Sequence, residues 1–191
     1  MSSHPLDNPV WNSLITHHAR FALGTDFAKR YPADVAPFVA LAEPSAAAFT
    51  DLTQIVKASE QLTLRGLDLP DHLDGWTIHV NKRIVQMVRE QPIAPVEGDA
   101  QIVELSATNV PAILRLIDLA RPGPFEQRTI EMGRYFGIYD DSQLIALAGE
   151  RMDLPGYREV SGVCTHPNYR GKGYARLLVS HICVQNEARG T

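Results

Sequence analysis

Apolar residues recur along this chain in two rhythms, one helical and one alternating, and the change of rhythm divides it. Near the amino terminus, Val10, Leu14, Ile15 and Phe21 fall on one face of a helix predicted from Val10 to Leu23, with Gly24 as its stop. Phe38–Leu41 and Ala46–Val56 read as further helix, and Ser45, following Pro44, is a good N-cap for the second. From Leu62 to His79 the apolar runs shorten and are cut by Gly66, Pro70 and Gly75, a pattern of short strands and turns. Lys82–Arg89, apolar at Ile84, Val85 and Val88, fits helix and strand equally. Gln91–Asp99, with Pro92, Pro95 and Gly98, reads as a linker.

Beyond the linker the elements are clearer. Ile102–Leu105 is a short strand, and Ser106–Asn109 offers caps to a helix whose stripe is Val110, Ile113, Leu114 and Ile117. Arg121-Pro122-Gly123-Pro124 ends that helix, and Glu126–Met132 is a second, short one. Tyr135–Tyr139, Gln143–Met152 and Tyr157–Thr165 read as an antiparallel meander, joined by turns at Asp140-Asp141 and Leu154-Pro155-Gly156. Tyr174–Glu187 closes the pattern as an amphipathic helix carrying Ala175, Leu178, Val179 and Ile182. The fold class is α/β of the mixed α+β kind, with residues 1–95 a smaller amino-terminal domain and 99–191 a second.

Composition narrows the classes. The chain has 191 residues, 45% hydrophobic and 21% charged, and a formal charge of −4 shared about equally by its halves, so nothing advertises nucleic acid or an anionic membrane. Cys164 and Cys183 form neither a CxxC pair nor a disulfide framework. The start MSSHPLDNP lacks the basic and apolar regions of a signal peptide, so a cytoplasmic location is expected. Two clusters raise the question of metal. The segment Asp68–Gly75 holds Asp68, Asp71, His72 and Asp74 without calcium-loop spacing, and His17-His18 are adjacent residues that point apart on a helix. We expect no metal site at either.

The informative stretch is VSGVCTHPNYRGKGYARLL, Val160–Leu178. A β-branched strand runs through Pro167 into Arg170-Gly171-Lys172-Gly173-Tyr174-Ala175 and then directly into a helix. Free N–H groups and the dipole at a helix start suit phosphate oxygens, glycines let the backbone approach them, and Arg170 and Lys172 add charge. The loop is not a Walker A motif, since Gly173 stands where Ser or Thr must hold magnesium, and Arg176 breaks a dinucleotide GxGxxG.

Arg170–Ala175 fits the [RQ]xxGx[GA] signature of the GNAT acetyltransferase superfamily, and Val163–Tyr169 resembles the strand end that precedes it. The resemblance covers about residues 100–191. AGERM at Ala148–Met152 and SGVCTHP at Ser161–Pro167 further resemble a bacterial subgroup whose amino-terminal half is a degenerate copy of the fold. The resemblance implies a GNAT-type central, mostly antiparallel sheet flanked by helices, and acetyl-CoA (coenzyme A) as co-substrate. It places the pyrophosphate on Arg170, Gly171, Lys172, Gly173, Tyr174, Ala175 and Arg176, and the pantetheine arm along the backbone of Val163 and Thr165. From Arg158 onward, five Lys or Arg against two Glu give a local charge of +3, which suits such a ligand.

The implied reaction is direct transfer of acetyl from the thioester to an amine acceptor, a small molecule or a protein. Glu150 and Glu159 are the candidate general bases, each equally readable as a strand carboxylate in a salt bridge. Cys164 reads as a buried strand residue rather than a nucleophile. Arg121–Phe125 lies where the family shapes its acceptor pocket, with Phe125 and Arg128 as side chains of interest. Two alternatives stay open: an acyl-CoA-binding or regulatory module with little catalysis, and an acyltransferase for longer acyl groups. The 93 residues from 99 onward fall short of the family's domain. The expectation is therefore a truncated chain, or a sheet edge covered by a partner copy as a homodimer.

Overall fold

The computed structural model describes residues 4–66 and 73–190. Asp68, Asp71 and His72 of the acidic segment lie outside the described residues. The first half contributes α1 (Pro9–Leu14), β1 (Leu23–Gly24), β2 (Ala28–Arg30), β3 (Phe38–Leu41), α2 (Ala46–Ile55) and β4 (Thr63–Leu64). The second contributes β5 (Ile102–Leu105), α3 (Val110–Ala120), β6 (Tyr135–Asp140), β7 (Gln143–Leu154), β8 (Tyr157–Thr165) and α4 (Tyr174–Ala188). Two four-stranded sheets result, ordered β1-β2-β3-β4 and β5-β6-β7-β8, and β3–β4 is the parallel pair between otherwise antiparallel neighbours. No helix of the described residues is long and apolar enough to cross a membrane.

Element order repeats between the halves. A helix, a 3-10 turn (Ala19–Phe21; Thr129–Met132), three antiparallel strands and a helix follow one another twice.

Three expectations change. The helix begun at Pro9 ends at Leu14 and gives way to the 3-10 turn Ala19–Phe21, instead of running to Leu23. Phe38–Leu41 is a strand, not a helix: all four residues are buried, so the short apolar run is an interior strand of the first sheet. Glu126–Met132 narrows to the 3-10 turn Thr129–Met132. Residues 73–101 contain no regular element, which resolves the ambiguity of Lys82–Arg89. The linker crosses α4, where the Val96 N–H donates to Ser180 Oγ at 3.0 Å and Arg89 pairs with Glu187.

Four apolar clusters hold the described residues together. One lies on each face of the second sheet: Leu105, Ile113, Leu116, Phe125, Tyr135 and Cys164 under α3, and Phe136, Ile138, Ala148, Leu178 and Ile182 under α4. A third joins the halves, with Val10, Leu14, Tyr31 and Phe38 packing on Met132, Met152 and Leu154. Polar contacts reinforce that joint. Ser13 Oγ donates to the Asp153 carbonyl oxygen at 2.9 Å, Thr129 Oγ1 donates to that of Val35 at 2.6 Å, and His17 Nδ1 lies 2.8 Å from Asp153 Oδ1. The outer half of the long strand β7 is thus buried by the amino-terminal half.

Candidate functional site

The site is built from the end of β8, the loop after it and the start of α4. Among the described residues β8 has β7 as its one neighbour, which leaves its other edge unpaired. The His166 N–H donates to the Ile145 carbonyl oxygen at 2.8 Å, so His166 turns its backbone toward β7. Alternation along a strand then turns the backbone groups of Thr165 and Val163 toward the open edge. Register slips at two points, and the one beside the site falls where Leu147 faces Cys164 but Gly149 faces Ser161. Gly162 and Val163 together oppose Ala148, a β-bulge made possible by Gly162 at φ 65°.

Past Thr165 the chain turns through the 3-10 segment Pro167–Tyr169 into the glycine loop. His166 Nδ1 accepts from the Asn168 N–H at 3.2 Å, and Tyr169 donates its hydroxyl to Asp140 Oδ2 at 2.6 Å, which fixes the loop to the β6–β7 turn. The Lys172 ammonium lies 5.2 Å from the centre of the Tyr169 ring. Gly171 and Gly173 adopt φ of 81° and 80°, left-handed geometry that other residues reach only with strain. A Cβ at either would meet nothing within 4 Å, so both border open space. Gly173 is the N-cap of α4 and provides no side-chain acceptor, so the first-turn N–H groups are left available to a ligand.

All nine residues expected to hold the cofactor, Val163, Thr165 and Arg170 through Arg176, line one cleft of about 480 Å³. Ala120 and Pro122 from the end of α3 form another part of its wall, together with Cys164 and Tyr169. Sequence reasoning missed these as lining residues. The Pro122-Gly123-Pro124 break after α3 was the available signal for the first two. Cys164 is 7% exposed, and burial, opposed weakly by the Arg170 charge, pushes its thiol up to about 12. It is therefore not a thiolate at neutral pH.

Neither expected base lines the cleft. Glu150 is 2% exposed and sits among three guanidinium groups: Arg189 Nη2 at 2.7 Å, Arg134 Nη2 at 3.5 Å and Arg158 Nη1 at 3.7 Å. It also accepts the Arg134 N–H at 3.1 Å. Glu159 is gripped by Arg151 through two bonds of 2.8 and 2.9 Å, with Arg65 Nη1 at 3.5 Å. Burial raises the Glu159 carboxyl, but the two arginines outweigh it and hold it below the usual carboxylate range. Phe125 is buried against Tyr135, and Arg128 is engaged with Glu131 and Asp34 on the joint between the halves.

The sequence profile of the Acetyltransferase (GNAT) family matches residues 110–190. This stretch, from α3 through the cleft to the end of α4, is a GNAT acetyltransferase domain. A solved structure from Novosphingobium aromaticivorans, assigned to the GNAT family, is similar along nearly the whole chain. It is 29% identical with a TM-score of 0.78, over 98% of this chain and 83% of that one. Ribosomal-protein-alanine N-acetyltransferase from Brucella melitensis is 23% identical with a TM-score of 0.40, over 48% of this chain and 74% of that one. N-acetylglutamate synthase from Neisseria gonorrhoeae, solved with coenzyme A and N-acetyl-glutamate, is 20% identical with a TM-score of 0.39, over 50% and 24%. No curated protein sequence matches the chain.

Proposed function

We propose that this protein is an acetyl-CoA-dependent N-acetyltransferase whose cofactor lies in the cleft at the open edge of β8. One observation carries the reading: the phosphate-binding loop, the uncapped start of α4 and the outward backbone of Val163 and Thr165 share that cleft. The pyrophosphate meets the N–H groups of the loop and the charges of Arg170, Lys172 and Arg176. The pantetheine amides continue along the β8 edge as an added strand.

In the reaction, the neutral amine nitrogen attacks the thioester carbonyl carbon and the C–S bond breaks. The amide keeps the acyl group, and the proton lost by the amine balances the one gained by the departing thiolate. We assign the base role, through water, to Glu159 in preference to Glu150. Its side chain is 32% exposed against 3% for Glu150, and it stands on the strand that borders the cofactor. The amino-terminal half, residues 1–95, is read as a degenerate repeat without a cofactor site. Its helix α2 starts at Ser45, whose own side chain accepts the Ala48 N–H at 3.2 Å, where α4 has an open glycine start.

Turnover tests the proposal. The protein is incubated with acetyl-CoA and a panel of small and peptidyl amines, and free thiol is followed. Amine-dependent thiol release is expected, and binding without release favours the regulatory module. Acyl-CoAs of increasing chain length separate the third reading.

A further inference from the structure

Tyr135, at the start of β6, is among the largest fully buried side chains of the described residues. It is 1% exposed. Its ring crosses β7 over Gly149: a Cβ on that glycine would lie 2.1 Å from the ring, so no other residue fits beneath it. The ring continues to Gly162, where Tyr135 Cε1 is 3.7 Å from the position a Cβ would take. Phe125 packs edge-on against the other side, with centroids 5.3 Å apart at 83°. Two glycines and an aromatic wall therefore aim the phenol from β6 across the sheet at the bulge.

The hydroxyl makes no hydrogen bond among the described residues. The fully enclosed polar side-chain atoms without a hydrogen-bond partner among the described residues are Arg134 Nε and Nη2 and Arg158 Nε, so the Tyr135 oxygen keeps contact with open space, where its unused O–H can meet a ligand acceptor. Burial raises its pKa well above the ordinary phenol value, opposed by the Arg151 charge and helped by those of Glu159 and Glu150, so the proton stays on the oxygen. In the orientation proposed above, the pyrophosphate lies at Arg170–Arg176 and the arm passes Thr165 and then Val163. The next position along β8 is Gly162, where the acyl end of the thioester arrives.

We propose that the Tyr135 hydroxyl donates a hydrogen bond to the acyl carbonyl oxygen of the bound thioester. The bond positions the carbonyl for attack and strengthens as charge develops on that oxygen in the tetrahedral intermediate. This rests on the cofactor site proposed above, and its test is designed to fail separately from that reading.

The test compares binding of acetyl-CoA with that of S-ethyl-CoA, a thioether of the same size lacking the carbonyl, to the wild type and to Tyr135→Phe. The wild type is expected to prefer acetyl-CoA by about 3- to 10-fold, as for one neutral hydrogen bond. Tyr135→Phe should bind S-ethyl-CoA as the wild type does, lose the preference, and melt no earlier, since the hydroxyl supports no other group. Where an amine substrate is in hand, kcat should fall about 100-fold, with KM for acetyl-CoA rising by no more than the about 3- to 10-fold lost in affinity. An undiminished preference in Tyr135→Phe overturns the assignment while leaving the cofactor site intact. Failure of the wild type to bind either compound removes the cofactor site, and this proposal with it.

Discussion

His18 Nε2 donates to the carbonyl oxygen of Met132 at 2.9 Å, a bond between residues 114 positions apart that pins the amino-terminal half to the acetyltransferase domain. On the other side of the ring, Nδ1 lies 2.9 Å from the Tyr31 hydroxyl, which lies 3.1 Å from Ser13 Oγ. The imidazole is 3% exposed, so its surroundings favour the uncharged ring.

This joint makes stability depend on pH. Burial lowers the His18 pKa below 6.5, against smaller raising effects from the Met132 carbonyl and Asp153, while Arg20 and His17 lower it further. Above pH 6.5 neither folded nor unfolded chain holds the proton, and stability is unaffected. As pH falls from 6.5 toward the depressed folded value the unfolded chain protonates first, and stability is lost at up to about 1.4 kcal/mol per pH unit. His181, also lowered by burial, acts in the same direction. The melting temperature should drop between pH 7 and pH 5, and His18→Gln should flatten that drop. An equal slope in the variant would contradict the account.

Glu150 is the common counter-ion of Arg134, Arg158 and Arg189, which come from the start of β6, from β8 and from the end of α4. Glu150→Gln leaves these guanidiniums facing one another. The arginines keep some solvent contact, so the expected cost is about 3 kcal/mol, the low end for half of a buried pair. Urea denaturation measures it; a loss under about 1 kcal/mol would mean that the cluster is loosely solvated.

Cys164 should resist alkylation in the native protein and Cys183, half-buried on α4, should react faster. Mass spectrometry after brief iodoacetamide treatment near pH 8 reads the ratio, because the thiolate is the reactive form. Cys164→Ala should keep acetyl transfer. Abolished transfer in a folded variant would argue for an acyl-enzyme route.

The residues that could be read in advance are those whose structure is decided locally. The strand β8, the turn at Pro167, the loop and the start of α4 at Tyr174 follow one another within a single stretch, and the Ser45 cap sits beside the helix that it starts. What was missed depends on partners far along the chain. Phe38–Leu41 looks like a helical turn until β2 and β4 flank it, and the first helix stops at Leu14 because the chain must turn to bury Phe21 with Tyr31 and Met132. The roles of Glu150 and Tyr135 were hidden for the same reason. The arginines around one and the two glycines beneath the other come from separate strands and helices, and no spacing rule within one element brings them together.

The central claim is that the start of α4 holds the diphosphate of coenzyme A, and Gly173→Asp tests it most directly. A Cβ at residue 173 meets nothing within 4 Å, so the side chain fits, and the positive φ of 80° adds about 1 kcal/mol of strain without unfolding the chain. Its carboxylate would occupy the place of a phosphate oxygen and repel the ligand. Calorimetric titration with coenzyme A should show saturable binding to the wild type, weakening as salt rises, and none to the folded variant. Equal affinity of the two proteins for coenzyme A would contradict the account.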